Sequence, residues 1–220
     1  MILLGLDSAG AGASAALWRD GAIVAARSSP MPRGQAEILM PMIAEVLADA
    51  KLGADALDAV GVAVGPGSFT GLRIAIAAAR GIALARGIPA LGVSSFATIA
   101  AQAPAGEPLL VALDTRRDDF YLQVFDSRRE PRGEPALLSA EAAARWLPGD
   151  VTRIAGDAAA RLARDIGRDL ELVPGTEQAR AENVARLAVA AFAPGRTYAP
   201  PRPVYLRAPD TTEPRARAAS

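Results

Sequence analysis

The sequence predicts an α/β protein built as two tandem copies of one unit. Three observations carry that expectation. Each half opens on an apolar strand that ends in aspartate, LLGLD at Asp7 and LVALD at Asp114. Each of these strands continues into an antiparallel partner, and helices then alternate with further strands. A Pro/Gly/Ala-rich stretch at residues 103–108 separates the halves.

In the first half, residues 2–6 read as a strand running into Asp7, and residues 14–18 and 22–26 as its successors. Asp20-Gly21 supplies a two-residue hairpin turn between the latter two. Residues 31–34 read as a loop. Residues 35–50 read as a helix with Ile38, Leu39, Met42, Ile43, Val46 and Leu47 on a broad apolar face. Pro41 must sit in its first turn or kink it. Residues 59–64 are apolar throughout, as a parallel strand buried on both faces should be. A glycine-rich loop leads to a helix over 70–86, ended by Gly87-Ile88-Pro89. Residues 90–93 form a short strand, and Ser94 is placed to cap a helix reaching residue 102.

In the second half, residues 109–113 lead into Asp114, followed by a polar turn and a strand over 120–125. A charged loop spans 127–135, and Ser139 starts a helix to residue 147. A strand over 152–155, a helix capped by Asp157 and reaching 166, a strand over 170–173 and a helix over 177–193 complete the copy. Pro-rich residues 194–203 lead to a short strand at 204–206, and the polar residues 208–220 read as a disordered tail. The expected organisation is a first lobe at 1–103, a second at 104–207 and the tail.

Antiparallel hairpins followed by βα units give mixed sheets flanked by helices. Two such copies point to a duplicated ribonuclease-H-like layout, the plan of the actin, Hsp70 and sugar-kinase ATPases. The alternative is an unrelated α/β domain whose strands match by chance.

The chain of 220 residues has no histidine, no cysteine and one lysine, Lys51. That excludes a Ser-His-Asp triad, a thiolate nucleophile and a His- or Cys-ligated zinc. Acidic and basic residues balance at 24 each, so no net charge draws the chain to nucleic acid or membrane. The first residues lack a basic flank and a long apolar run, and the reading is a cytoplasmic protein. No cofactor and no metal are expected. Arg128, Arg129 and Arg132 could give weak phosphate contacts, or simply belong to a solvated loop.

Three stretches invite a chemical reading. Residues 10–15 match G-x-G-x-x-A, but they run into a strand where a dinucleotide site needs a helix, so that reading is rejected. Asp7 and Asp114 at the strand ends could hold Mg²⁺ or orient water in an ATPase, or could cap their own turns. The hairpin after Asp7 offers mainly Ala, Gly and Ser, so it has few phosphate donors. Gly65-Pro66-Gly67-Ser68-Phe69-Thr70-Gly71-Leu72-Arg73 joins a buried strand to a helix. Its glycines permit close approach, Ser68 or Thr70 can cap, and Arg73 should meet an anion or a carboxylate. Phe69 should anchor in a pocket, or else lie in the protein's own core. The following helix carries small residues, Gly71, Ala75, Ala78, Ala79 and Gly81, that allow another helix to come close. Both helices read as core or as a bundle with another protein.

The nine residues at 65–73 resemble the signature of the TsaB (YeaZ) family of bacterial tRNA threonylcarbamoyladenosine synthesis. LGLDSA, ALW-RDG, Glu37-Ile38-Leu39-Met40-Pro41, GIPALGVSS, LDTRRDDFY and Pro203-Val204-Tyr205-Leu206-Arg207 follow in the family order, so the resemblance covers almost the whole chain. It implies a degenerate two-lobe ATPase fold that is not itself the catalyst. It implies a scaffold that binds the catalytic TsaD subunit, helps recruit the ATPase TsaE, homodimerises when alone and meets tRNA only through the complex. TsaD transfers the threonylcarbamoyl group to N6 of adenosine 37, and holds its metal with an HxxxH pair. Older annotation of the family as a glycoprotease reflects kinship. The expected partner-binding residues are Ile38, Met42, Phe69, Thr70, Arg73, Ile74, Ala78 and Gly81, with Asp7 and Asp114 marking a degenerate nucleotide site. One departure stands out: relatives often have H-[AS]-E where this chain has Gln35-Ala36-Glu37. A small ATPase or phosphotransferase using Asp7 and Asp114 is the alternative.

Overall fold

A computed structural model describes residues 1–30 and 34–207. Most of the expected loop at 31–34 and the expected tail at 208–220 lie outside the described residues.

The first half runs β1 (Ile2–Asp7), β2 (Gly12–Arg19), β3 (Ala22–Pro30), α1 (Gln35–Asp49), β4 (Ala59–Gly65), α2 (Phe69–Arg86), β5 (Ala90–Ser94) and α3 (Ser95–Ala100). The second runs β6 (Leu109–Asp114), β7 (Asp119–Phe125), β8 (Ala136–Ser139), α4 (Ala140–Trp146), β9 (Arg153–Ala155), α5 (Ala159–Ile166), β10 (Glu171–Leu172) and α6 (Ala181–Ala191). The first sheet has the order β3-β2-β1-β4-β5 and the second β8-β7-β6-β9-β10 when read from the same side. Every pairing sense also repeats: β1 is antiparallel to β2 and parallel to β4, as β6 is to β7 and β9. Asp7 and Asp114 are each the last paired residue of the opening strand. The duplication legible in LLGLD and LVALD is therefore a duplication of topology, and the fold is the two-lobe α/β plan of the actin and sugar-kinase ATPases.

The Asp20-Gly21 turn has φ of +47° and +103°, the primed geometry that matches strand twist. On the first sheet, α1 contributes Leu39, Met42, Ile43, Val46 and Leu47 and α2 contributes Leu72, Ala75, Ile76 and Ala79 to one apolar core. Helix α6 covers the opposite face with Val184, Ala185 and Ala188. Its approach depends on Gly5 and Gly61, neighbours in the β1–β4 register. A Cβ on Gly61 would lie 2.6 Å from the Ala188 Cβ, and one on Gly5 would lie 2.8 Å from the Ala185 nitrogen.

The two halves exchange their third helices. Phe96, Ile99 and Ala100 of α3 join Leu109, Val111, Leu113 and Phe125 in a cluster on the second sheet. Helix α6, from beyond residue 103, belongs to the core of the first sheet.

Several local expectations are corrected. Of the two placements open to Pro41, the structure has the one inside α1, where the ring is exposed. The helix after Ser94 ends at Ala100, and Ser94 makes no side-chain cap bond; its carbonyl accepts from Thr98 Oγ1 at 2.9 Å. Asp157 does not cap α5, whose N-cap is Ala158. Instead, its carboxylate accepts from the Asp114 N–H at 2.8 Å. Strand β8 precedes the Ser139 cap where none was expected, because β7 needs an edge partner and residues 136–139 are the next extended chain. The last helix begins at 181, not 177, and residues 177–180 instead line two clefts. No strand forms at 204–206; one bond, Val204 N–H to the Val64 carbonyl at 2.7 Å, takes its place.

Candidate functional site

The turn at 65–71 is fixed to the exit of β1 by close backbone contacts. Gly65 has φ of +112°, a value side chains disfavour, and its peptide to Pro66 is cis. A Cβ on Gly67 would lie 2.5 Å from the Ala9 carbonyl oxygen, and one on Gly71 would overlap the Ser8 carbonyl. The Ser68 N–H donates to that Ala9 oxygen at 2.7 Å. Ser68 Oγ accepts from the Gly71 N–H at 3.2 Å, the N-cap bond of α2, so Ser68 rather than Thr70 is the cap. The Ser8 hydroxyl donates to the Gly71 carbonyl at 2.7 Å.

Phe69 stays out of the core, lines a cleft of its own chain and is 48% exposed. The Arg73 guanidinium lies 3.6 Å above its ring centroid, and the Tyr205 ring stacks on it at 5.5 Å. Arg73 Nε donates to the Tyr205 hydroxyl at 3.2 Å. Within the chain Arg73 thus meets the face of the Phe69 ring and the Tyr205 hydroxyl, where its position suggested an anion or a carboxylate.

The expected partner-binding residues divide by exposure. Phe69, Thr70, Arg73 and Gly81 are exposed, and Ile38, Ile74 and Ala78 are half-buried, packed at the edge of the first core. Met42 is 7% exposed and belongs to that core, so its surface is not open to a partner. Two exposed apolar residues of these helices lie outside the expected set. Met40 on α1 is 51% exposed and Leu84 on α2 is 86% exposed. Both are apolar residues off the sheet-facing stripe of their helix, and that was the available signal.

The two strand-end aspartates sit in different surroundings. Asp7 lines a cleft of about 340 Å³ with residues 10–14, Ser28, residues 177–180 and Glu182; Asp114 is not among its walls. Burial pushes the Asp7 carboxyl up to about 7, against the smaller opposing pull of the Ala9 N–H at 3.3 Å. Asp114 faces a second cleft of about 470 Å³, between residues 67–70, residues 114–117, Tyr121, Tyr205 and Arg207. Its carboxylate accepts from Arg161 Nη2 at 2.8 Å and the Arg116 N–H at 2.9 Å. Arg161 also lies 4.2 Å over the Phe120 ring. Burial, and secondarily the charge of Asp114, holds Asp157 above the usual carboxylate range.

Two of the three loop arginines of the second half have partners within the chain, and Arg128 is exposed. Arg129 donates to the Glu107 and Asp126 carbonyls at 2.7 and 3.2 Å, and Arg132 pairs with Asp150 at 2.7 Å. Residues 12–15 lie in β2, so the G-x-G-x-x-A match opens no helix. Among the described residues, no three His, Cys, Asp or Glu side chains converge as a metal-binding group, and no helix is long and apolar enough to cross a membrane.

Comparison with known proteins bears on this arrangement. The family model described as "TsaD: tRNA N6-adenosine threonylcarbamoyltransferase" matches residues 31–193. The "tRNA threonylcarbamoyladenosine biosynthesis protein TsaB" of Escherichia coli (strain K12) is 32% identical, over 94% of this chain and 95% of its own. The solved structure "YeaZ from Pseudomonas aeruginosa" superposes with a TM-score of 0.81 at 30% identity, covering 93% of this chain and 99% of that one. Component A of the Acidaminococcus fermentans (R)-2-hydroxyglutaryl-CoA dehydratase superposes with a TM-score of 0.52 at 12% identity, over 86% of this chain and 97% of its own, a likeness of fold alone.

Proposed function

The chain belongs to the TsaB/YeaZ family, and from that premise we propose that it is a non-catalytic subunit in the synthesis of N6-threonylcarbamoyladenosine in tRNA. Its partner on this reading is the catalytic TsaD subunit, with the ATPase TsaE recruited to the pair. A second copy of the chain takes the same surface when TsaD is absent. The tRNA is reached through the complex.

The observation that carries this reading is apolar surface left open on α1 and α2. Met40 and Leu84 are exposed, Ile38, Ile74 and Ala78 are half-buried at the edge of the core, and Gly81 has open space over its Cα. The missing histidine supports the division of labour, because the chain cannot supply the HxxxH metal site that the resemblance attributes to TsaD. Calling the chain an accessory subunit rather than an enzyme rests on these two points.

The test is co-purification with TsaD. Ile74→Glu or Ala78→Arg places a charge in the helix contact and should weaken it by about 3 kcal/mol, while circular dichroism stays native. Undiminished complex formation by both folded variants would put the contact elsewhere. The phosphotransferase alternative needs Asp7 and Asp114 as free carboxylates in one site. A raised Asp7 and an Asp114 paired with Arg161 disfavour it. Calorimetric titration with Mg·ATP decides between them: tight binding by the isolated chain would revive the alternative.

A further inference from the structure

The motif Pro203-Val204-Tyr205-Leu206-Arg207 has no role so far. It ends a segment that leaves α6 and runs back over both lobes. The segment is tied at its start by Tyr198, whose ring stacks on Phe192 at 6.2 Å and whose hydroxyl accepts from the Ala193 N–H at 2.6 Å. Pro201 is buried, 3.6 Å from where a Cβ on Gly92 would lie. Val204 donates to the Val64 carbonyl at 2.7 Å, and its own carbonyl would lie 2.8 Å from a Cβ on Gly65, so the signature turn is shaped to admit it. Tyr205 then holds Phe69 and Arg73.

Within two residues the chain is attached to the other lobe. Leu206 packs against the cluster containing Val111, Leu113 and Phe125, and Arg207 forms an ion pair with Asp119, the first residue of β7. Tyr205 and Arg207 border the second cleft, whose walls come from the signature turn on one side and residues 114–117 on the other.

We infer that residues 200–207 form a strap that fixes the angle between the two lobes, anchored on the first by Val204 and Tyr205 and on the second by Leu206 and Arg207. Elsewhere the lobes are joined by α3, which packs on the second sheet while touching β4, β5 and α6 of the first core, and by the chain itself where it passes from β5 to α3 and from β10 to α6. The strap adds an attachment at the cleft, which restrains the turning that these contacts leave. Pro200, Pro201 and Pro203 stiffen the strap, so little chain entropy is lost in holding it down. Tyr205 is a positioning residue, since it orders Phe69 and Arg73 from a segment that also senses the second lobe. The inference does not depend on the function proposed above.

The isolated chain tests it directly. With no cysteine of its own, it accepts one spin label at Ala48→Cys on α1 and one at Ser127→Cys after β7, both exposed positions in different lobes. Pulsed electron–electron resonance should give a single narrow distance distribution. Arg207→Glu should broaden or split it, and should abolish hydrogen-exchange protection of the Val204 amide. Arg207→Asp combined with Asp119→Arg should restore both. If Arg207→Glu fails to fold, Tyr205→Ala, an exposed residue outside both cores, should produce the same broadening. A distribution as narrow as the parent's in these folded variants, or a charge exchange that restores nothing, would overturn the strap.

Discussion

Ser8 and Gly71 meet where the first strand leaves the sheet and helix α2 begins. The Ser8 hydroxyl donates to the Gly71 carbonyl at 2.7 Å, and any side chain on Gly71 would overlap the Ser8 carbonyl. The turn that carries the family signature is therefore set by backbone contact with the segment that holds Asp7.

Gly71→Ala should be destabilising by about 3 kcal/mol, since the obstacle is main chain and cannot swing aside. Gly81→Ala, ten residues along the same helix and with nothing within 4 Å, is the contrast. There the gain in helix propensity should stabilise by about 0.5–1 kcal/mol. Urea unfolding of the two variants checks both signs.

Asp7 predicts a pH dependence of stability. Its folded value of about 7 exceeds the model-peptide value of 3.8, so folding favours the protonated form. Its contribution is fully present below pH 4 and is lost as pH rises through about 7, at up to about 1.4 kcal/mol per pH unit across that window. Asp7→Asn should remove this slope and leave the variant more stable than the parent at pH 8. Chemical denaturation of both proteins at pH 5 and pH 8 isolates the difference.

Arg161 holds three groups of the second lobe together. It donates to the Arg117 carbonyl at 2.9 Å, pairs with Asp114 at 2.8 Å and covers Phe120. Arg161→Ala should cost about 1–2 kcal/mol. Arg161→Lys should recover only part, because an ammonium cannot span the same acceptors. Thermal unfolding ranks the three proteins.

Phe69 separates folding from assembly. Half its surface is already in water, so Phe69→Ala should change stability by under about 1 kcal/mol. The same change should weaken TsaD capture measurably if the exposed aromatic belongs to the contact. Denaturation and pull-down on one preparation give both answers.

Much of the fold was legible because its signals are local. The Asp20-Gly21 turn, the apolar run of β4 and the Gly87 stop each depend on a few adjacent residues. Strand β8 was not legible, because residues 136–139 become a strand only through β7 beside them. Asp157 looked like a cap by position, yet its carboxylate serves the Asp114 amide 43 residues away. At the candidate site, the turn glycines could be read from sequence and the cap narrowed to Ser68 or Thr70, a choice that the Gly71 N–H makes. The fate of Arg73 could not, since it depends on Tyr205, 132 residues on. Met42 and Met40 carry the same chemistry two positions apart, and only the sheet beneath α1 decides which is buried.

The exchange of α3 and α6 also fixes an order of events during synthesis. The sheet formed by residues 2–94 has two faces, and the one bearing Gly5 and Gly61 has no cover until α6 is made at Ala181–Ala191. The nascent first half must wait with an apolar face open, and a ribosome paused between the halves would present it to chaperones. The second half, by contrast, finds α3 already made when β6 emerges. Separately produced halves cut near residue 103 would each lack a helix that only the other holds, and should be recovered as a pair.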